Sequence, residues 1–195
     1  EIVEPTIEDD GEVYGINIVA SEKIVLYPRS CSSILSVTIE AANKIKGDMI
    51  INAVEKAPND DKLNNIYEIC EIKLVDIDAD DFESVEVDFK VTKSWMEDNE
   101  VKSSDIAFFS YDDDKSNWDK EDTQEKAENS VYQYFTTEPG NLTHWAIATD
   151  DGSAFSISNT GWVLGICLFA LLIIIILVVF IALRQKKQEE PIYDN

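Results

Sequence analysis

The residues of this sequence that are best suited to chemistry are carboxylates concentrated in two short acidic runs. Carboxylate oxygens are the ligands that calcium prefers. The sequence therefore leaves two interpretations open, an irregular calcium site in the loops of a β-domain and solvated acidic loops. It predicts no other cofactor. The candidate ligands are Asp78, Asp80 and Asp81 in the first run, and Asp112, Asp113 and Asp114 in the second.

The first run has the spacing that opens an EF-hand loop, with Asp76, Asp78 and Asp80 at alternate positions. An EF-hand needs glycine at the sixth position for a sharp turn and a bidentate glutamate at the twelfth. Asp81 and Val87 stand at those positions. The sequence therefore excludes an EF-hand.

Cysteine is the second residue type with chemistry to offer. Cys31 and Cys70 lie in the part of the chain predicted to be outside the cell, where disulfides persist, whereas Cys167 lies in a long apolar run. A Cys31–Cys70 bridge would close a loop of about 39 residues and stabilise the fold by roughly 3–4 kcal/mol. We predict this bridge. Two unpaired core cysteines are the alternative that spacing leaves open.

Catalysis finds little support in the sequence. The single histidine, His144, lies in a predicted strand beside Trp145, where a structural role is the commoner one. The chain has no Gly-x-Ser-x-Gly, no Cys-x-x-Cys and no glycine-rich phosphate loop. Carboxylates are so frequent that a pair of them carries no information. The sequence predicts a protein that is not an enzyme.

One modification site is predicted in a turn. Asn141-Leu142-Thr143 is the sequon that N-glycosylation requires, and it directly follows Pro139-Gly140. Glycosylation of Asn141 is the expectation, although such tripeptides also arise by chance.

The charge of the chain narrows its partners. There are 39 acidic and 16 basic side chains, a net charge of -23. Such a surface repels nucleic acid and anionic lipid, so nucleic-acid binding is excluded. Basic proteins, cations or solubility in salt are the interpretations that remain.

A long apolar run near the C-terminus predicts a membrane span. Residues 161–183 carry no charged side chain, and Arg184, Lys186 and Lys187 follow. A helix of this length reaches about 34 Å, enough to cross a bilayer, and positive charge marks the cytoplasmic side. Gly161 and Gly165 form the Gly-x-x-x-Gly pattern of paired membrane helices. A homo-oligomer through this helix is a prediction.

These signals divide the chain into four predicted parts. Residues 1–149 form an extracellular domain, 150–160 a short linker, 161–183 the transmembrane helix and 184–195 a cytoplasmic tail. With Glu1 as a mature start, we expect a signal peptide to have been cleaved. The predicted location is the cell membrane, with a single pass and the N-terminal domain outside.

Short β-type runs fill the predicted extracellular domain. The clearest is 85–91, where Val85, Val87 and Phe89 alternate with charged residues as in a half-buried strand. A brief helix is predicted over 94–100, with Ser94 as its N-cap. Charged segments between the runs, including 119–128, are predicted loops. The predicted strands are 13–20, 34–41, 49–54, 66–75, 85–91, 105–111, 131–137 and 144–149.

This spacing of strands, without amphipathic helices between them, predicts an all-β fold. The fold class is an antiparallel β-sandwich followed by one C-terminal transmembrane α-helix. Trp95, Trp118 and Trp145 are the predicted core aromatics, because aromatic side chains dominate the burial energy of a small core.

Residues 83–149 contain an ordered set of small motifs. They are Phe89-Lys90-Val91, Ser94-Trp95, Tyr111 followed by Trp118, Tyr132 and Tyr134, Pro139-Gly140, and the closing Trp145-Ala146-Ile147. With these motifs the segment resembles the PGF-pre-PGF domain of archaeal cell-surface proteins. Two departures stand out: Asn141 replaces the usual phenylalanine of the Pro-Gly turn, and no Pro-Gly-Phe signal precedes Gly161. The second departure favours a retained membrane anchor.

The resemblance implies a surface location and a structural or binding role, without a defined catalysis. Together with the anchor it predicts a non-catalytic archaeal surface protein, structural or adhesive, or an accessory subunit of a membrane or envelope assembly. Its partners would be other envelope or membrane proteins. The alternative is a ligand-binding receptor domain that signals through pairing of its transmembrane helix.

Overall fold

The computed structural model describes residues 2–8 and 11–150, which fold mainly as β-strands. One short helix, α1 (Lys93–Asp98), interrupts them, with 3-10 turns at Asp60–Lys62, Ala79–Asp81 and Ser103–Asp105. In chain order, the thirteen described strands are β1 (Ile2–Val3), β2 (Thr6–Glu8), β3 (Gly11–Ile18), β4 (Lys23–Leu26), β5 (Ile34–Ala41), β6 (Ile45–Ala53), β7 (Asn64–Val75), β8 (Phe82–Thr92), β9 (Ile106–Asp112), β10 (Asn117–Lys120), β11 (Thr123–Glu128), β12 (Tyr132–Thr137) and β13 (His144–Thr149).

The described strands form two sheets. The six-stranded sheet has the order β1-β4-β5-β8-β12-β11, and the seven-stranded sheet has the order β10-β9-β13-β7-β6-β3-β2. Their pairing is antiparallel, except that β1 runs parallel to β4. The prediction of an all-β fold is confirmed, and the two sheets enclose one core as in a β-sandwich.

Alternating side chains from both sheets build the core between them. In β8, Val87, Phe89 and Val91 are fully buried while the residues between them are partly or fully exposed. The rings of Phe89 and Phe135 stack with centroids 5.0 Å apart, and Phe108 approaches from the opposite sheet at 5.4 Å. The alternation of apolar and charged residues over 85–91 therefore matches the alternation of buried and exposed side chains in the sheet.

A second, smaller apolar core covers the outer face of the seven-stranded sheet. Residues of β9 are buried on both faces, since Phe108 packs between the sheets and Phe109 packs outward. The chain between β6 and β7 folds over this outer face and contributes Leu63. The other buried members of this outer cluster are Ile69, Ala107, Tyr111, Trp118, Ala146 and Ala148.

Each predicted strand has a counterpart in the structure, but two local predictions are wrong. Segment 119–128 is not a loop: it ends β10 and contains β11, an edge strand whose side chains are mostly exposed. An edge strand that buries neither face has no alternation of apolar and polar residues, so the sequence gives no sign of it. The helix begins at Lys93, with Thr92 rather than Ser94 as N-cap; the Thr92 hydroxyl accepts the Trp95 N–H at 3.3 Å.

Gly47 in β6 lies where the turn after β7 folds back against the sheet. A Cβ atom at Gly47 would collide with the carbonyl oxygen of Val75 and crowd that of Asp76. We expect Gly47→Ala to lower the free energy of unfolding by about 1–3 kcal/mol, because the backbone must shift to admit a methyl group. Chemical denaturation measures this loss.

Gly15 in β3 gives a matched control for Gly47. A Cβ there would meet only a carboxylate oxygen of Asp48, at 3.7 Å, an ordinary contact. Gly15→Ala should leave stability unchanged or raise it by about 0.4–1 kcal/mol, since alanine restricts the unfolded chain. Equal losses for both variants would show that crowding by the β7–β8 turn is not the reason for glycine at 47.

Candidate functional site

A cavity of about 690 Å³ opens at one end of the sandwich. It lies where the last residues of β7 and β9 and the first residues of β8 meet the connection between β12 and β13. This volume is in the usual range of ligand sites. The lining residues are Ile72, Leu74, Ala79, Asp80, Phe82, Glu83, Ser84, Val85, Asp112, Asp113, Asp114, Pro139, Gly140, Asn141, Leu142 and Thr143. We call this cavity the end cleft.

The end cleft combines an apolar base with an acidic rim. Ile72 and Val85 belong to the buried core, and Leu74, Phe82 and Leu142 pack against that core while partly exposed. The lining contains no lysine or arginine. Its carboxylates are Asp80, Glu83, Asp112, Asp113 and Asp114.

Of these carboxylates, Asp112 has a cationic neighbour. Its side chain lies 2.7 Å from the ammonium of Lys115, which also pairs with Asp119 at 2.9 Å. The hydrogen bond that the Lys115 ammonium donates to the Asp112 carboxylate lowers the pKa of Asp112, and the same bond raises the pKa of Lys115. Asp113 and Asp114 are exposed at the tip of the same turn.

The structure brings parts of both predicted calcium runs to the end cleft, but not as a ligand set. Asp78 instead accepts the Asp80 backbone N–H at 3.1 Å, and Asp81 accepts the Asn43 side-chain amide at 3.1 Å. Within residues 2–8 and 11–150, no group of three or more acidic, histidine or cysteine side chains is placed to hold a metal ion. Calcium binding stays a prediction without an assembled site.

A partly buried polar cluster holds the β12–β13 connection that forms one wall of the end cleft. The Glu121 carboxylate accepts the Gly140 backbone N–H at 2.8 Å and a short hydrogen bond from the Ser110 hydroxyl. The Asn141 side-chain amide donates to Ser110 at 3.3 Å, and the Asn141 carbonyl accepts the Trp145 indole N–H at 2.8 Å. Sequence reasoning missed Ser110 and Glu121. Ser110 could have been noticed as the polar residue inside the apolar run of β9.

The predicted glycosylation site lies on this wall. Asn141 is partly buried and lines the end cleft, while the Thr143 hydroxyl donates to the Tyr111 carbonyl at 2.8 Å. A sugar on the Asn141 amide would therefore occupy the end cleft or displace the connection. Glycosylation of Asn141 stays a prediction.

His144 lies on the outer face of the seven-stranded sheet, not in the end cleft. Its side chain is 17% exposed, its Nε2 lies 3.8 Å from the Glu71 carboxylate, and the Tyr111 ring meets it edge-on. Its Nδ1 is buried without a hydrogen-bond partner among the described residues. Burial lowers the pKa of His144, and Glu71 and Asp113 oppose this effect.

This pKa shift predicts a pH-dependent stability. Because the pKa of His144 is lower in the folded chain than in the unfolded chain, the unfolded state binds more protons as the pH falls below about 6.5. The wild type should lose stability relative to His144→Gln in that range, by at most about 1.4 kcal/mol per pH unit. Denaturation of both proteins between neutral and mildly acidic pH measures the difference. A difference that does not change with pH would contradict the prediction.

Cys31 and Cys70 are joined as a disulfide, with their Cα atoms 6.1 Å apart. The bridge connects the loop between β4 and β5 of one sheet to β7 of the other. Two carboxylates hold the same loop: Glu68 accepts the backbone N–H groups of Ser32 and Ser33 at 3.0 and 2.9 Å, and buried Glu12 accepts the Arg29 N–H at 2.7 Å. This cross-link between the sheets is structural and lies outside the end-cleft lining.

The three predicted core tryptophans lie in three different places. Trp145 is buried between the sheets, and Trp118 is buried in the outer cluster, where its indole N–H donates to the Pro58 carbonyl at 3.0 Å. Trp95 is only partly buried, in α1, where its ring meets Tyr67 edge-on with centroids 5.1 Å apart.

Several predictions fall outside the described residues. They are the transmembrane helix over 161–183, the glycine pair Gly161 and Gly165, most of the linker, and the tail over 184–195. Within the described ranges, no helix has the length and apolar character needed to cross a membrane.

The class that the fold and the site define is a disulfide-linked, acidic, two-sheet β-domain with a cleft at one end. Comparison with known proteins adds no family: no family model, no curated protein and no solved structure matches the chain.

Proposed function

We propose that this chain is a non-catalytic, single-pass surface protein of an archaeon, with a structural or adhesive role or as an accessory subunit of a membrane or envelope assembly. The end cleft is the observation that carries the proposal, because it gives a cross-linked, acidic domain a concave surface where another molecule can bind. The apolar run over 161–183 supplies the proposed anchor.

The position of the end cleft suits a surface protein that contacts a partner. β13 is six residues long: it begins next to the cleft wall at His144 and ends at Thr149, at the opposite end of the sheet. A strand of that length covers about 20 Å. Thr149 therefore lies at the end of the sandwich that does not carry the end cleft.

The chemistry of the end cleft supports binding rather than catalysis. Its polar side chains are carboxylates, Ser84, Asn141 and Thr143, and the single histidine of the sequence lies on another face. General acid–base work needs groups held within hydrogen-bond reach of a reacting atom. The exposed carboxylates at the rim provide negative charge, but they are not arranged as a set of positioned acid and base groups.

The resemblance to the PGF-pre-PGF domain adds the archaeal source and the envelope location to the proposal. The motifs that carry it fall on β8, α1, β9, β10, β12 and β13, with Pro139 and Gly140 in the cleft wall. This part of the proposal depends on the resemblance.

A cross-linking experiment in native membranes tests the proposal. A carbodiimide, which joins carboxylates directly to lysines, is applied before purification in mild detergent, and mass spectrometry identifies linked peptides. We expect a stoichiometric membrane or envelope protein. Links between copies of this chain alone would favour the receptor alternative, which uses pairing at Gly161 and Gly165. Recovery of an unlinked monomer would overturn the accessory-subunit role.

A further inference from the structure

We infer that the end cleft binds a segment of a partner protein that carries lysine or arginine next to an apolar side chain. This inference rests on the proposed function and specifies the chemistry of the partner. It depends on the apolar base of the end cleft, on its uncompensated charge and on a second acidic cavity beside it.

The base of the end cleft offers a place for an apolar side chain. Ile72 is 4% exposed and Val85 is 7% exposed, so both side chains are fixed in the core and form a permanent apolar base. Phe82 and Leu142 remain partly exposed above them. A hydrated ion or a purely polar ligand would leave this surface without a partner, whereas an apolar side chain would remove it from water.

The acidic rim of the end cleft favours a positively charged partner segment. Its carboxylates come from separate parts of the chain: Asp80 from the turn before β8, Glu83 from the start of β8, and Asp113 and Asp114 from the turn after β9. No ion pair joins any of these four to a basic side chain among the described residues. Charge complementarity therefore demands a cationic segment.

A second cavity, of about 340 Å³, extends the same charge. It lies on the six-stranded sheet beside β11 and shares the β12–β13 connection with the end cleft, since Glu138 lines one and Pro139 the other. Its acidic lining residues are Glu86, Glu121, Asp122 and Glu138, and it too contains no lysine or arginine. A partner segment with several positive charges fits this arrangement better than a single amine.

Other occupants fit less well. A second copy of this chain carries the same net charge of -23 and would be repelled. Nucleic acid and anionic lipid are repelled for the same reason. Addition of a strand is disfavoured because β7, β8 and β13 are paired on both sides within their sheets, so that the end cleft presents side chains and not an open edge.

Binding of defined peptides to the full chain tests the inference. The chain is prepared in lipid nanodiscs from a host without N-glycosylation, so that Asn141 carries no sugar. The probe is a short fluorescent peptide of alternating lysine and leucine, compared with lysine–serine and glutamate–leucine peptides of equal length. We expect the lysine–leucine peptide to bind at least about tenfold more tightly than either comparison peptide.

Matched variants locate the binding. Asp113→Asn with Asp114→Gln removes two rim charges and should weaken lysine–leucine binding about tenfold. Glu55→Gln with Asp61→Asn removes two exposed charges outside both cavities and should change binding less than about twofold. Equal weakening by both pairs would overturn the inference in favour of diffuse charge attraction. Equal binding of the lysine–serine peptide would overturn it in favour of a small polycation.

The same variants separate this inference from the proposed function. If the native cross-linked partner is retained by Asp113→Asn with Asp114→Gln and no peptide binds, the accessory role stands and the end cleft is not its contact. If peptides bind as expected and no native partner is found, the chemistry of the end cleft stands and the accessory role fails.

Discussion

Trp118→Ala should lower the free energy of unfolding by about 3–5 kcal/mol, although Trp118 lies in an edge strand and outside the intersheet core. Its side chain is fully buried in the outer cluster, where it packs edge-on against Tyr111 with centroids 5.3 Å apart. Its loss removes a large apolar contact and leaves the Pro58 carbonyl without its donor. Chemical denaturation followed by circular dichroism measures the change.

Trp95→Ala is the matched control, since Trp95 is a tryptophan that remains partly exposed in α1. Its truncation should cost roughly 1–2 kcal/mol, because less apolar surface leaves the protein interior. Hydrogen exchange distinguishes the two variants further. Trp118→Ala should release protection in the 54–63 connection that covers the outer cluster. Equal losses in both variants would show that the outer cluster is not a second core.

How far the sequence predicts this fold depends on whether a strand buries one face or two. β8 follows strict alternation, so its inward face was predictable, although the strand extends from Phe82 to Thr92, beyond the predicted 85–91. β9 was found as a strand, but its burial on both faces follows from contacts with the 54–63 connection, which is distant in sequence. A continuous apolar run such as 106–109 signals that both faces are covered. It does not say what covers them.

The end cleft was predictable only in its parts. The two acidic runs were visible, yet they meet at one cavity because β7, β13 and β9 are neighbours in the seven-stranded sheet. Strand order is decided by long-range packing, which local sequence patterns do not contain. The same limit hid Glu121, whose role is to hold Gly140 from a position 19 residues earlier in the chain.

Edge strands mark a second limit. β11 contains Thr-Gln-Glu-Lys-Ala-Glu, which no propensity argument would assign to a sheet. Its pairing with β12 supplies the order, and Lys126 anchors it by an ion pair of 2.7 Å to Asp88 of β8. Charged edge strands of this kind oppose unwanted pairing with other chains. Their sequences predict loops, because the hydrogen bonds that keep them extended come from the neighbouring strand and not from their own residues.

Removal of the Cys31–Cys70 disulfide should lower the free energy of unfolding by about 3–4 kcal/mol. The bond joins residues 39 positions apart, and a cross-link of that span restricts the unfolded chain by about this amount on the chain-entropy model. Cys31→Ala with Cys70→Ala is the suitable variant, because both positions are buried, at 0% and 2% exposure, and serine would bury a hydroxyl there. Denaturation of the full chain measures the loss.

The control separates the cross-link from the packing around it. Glu68→Gln keeps the disulfide and weakens the carboxylate that holds Ser32 and Ser33, so its cost should be smaller, about 1–2 kcal/mol. Adding reductant should destabilise the wild type and Glu68→Gln alike and leave the alanine variant unchanged. The Cys31→Ala with Cys70→Ala variant should also show a steeper dependence of its unfolding free energy on denaturant, because its unfolded chain exposes more surface. A wild type that resists change under full reduction would show that Glu68 and Glu12, not the disulfide, hold the two sheets at this loop.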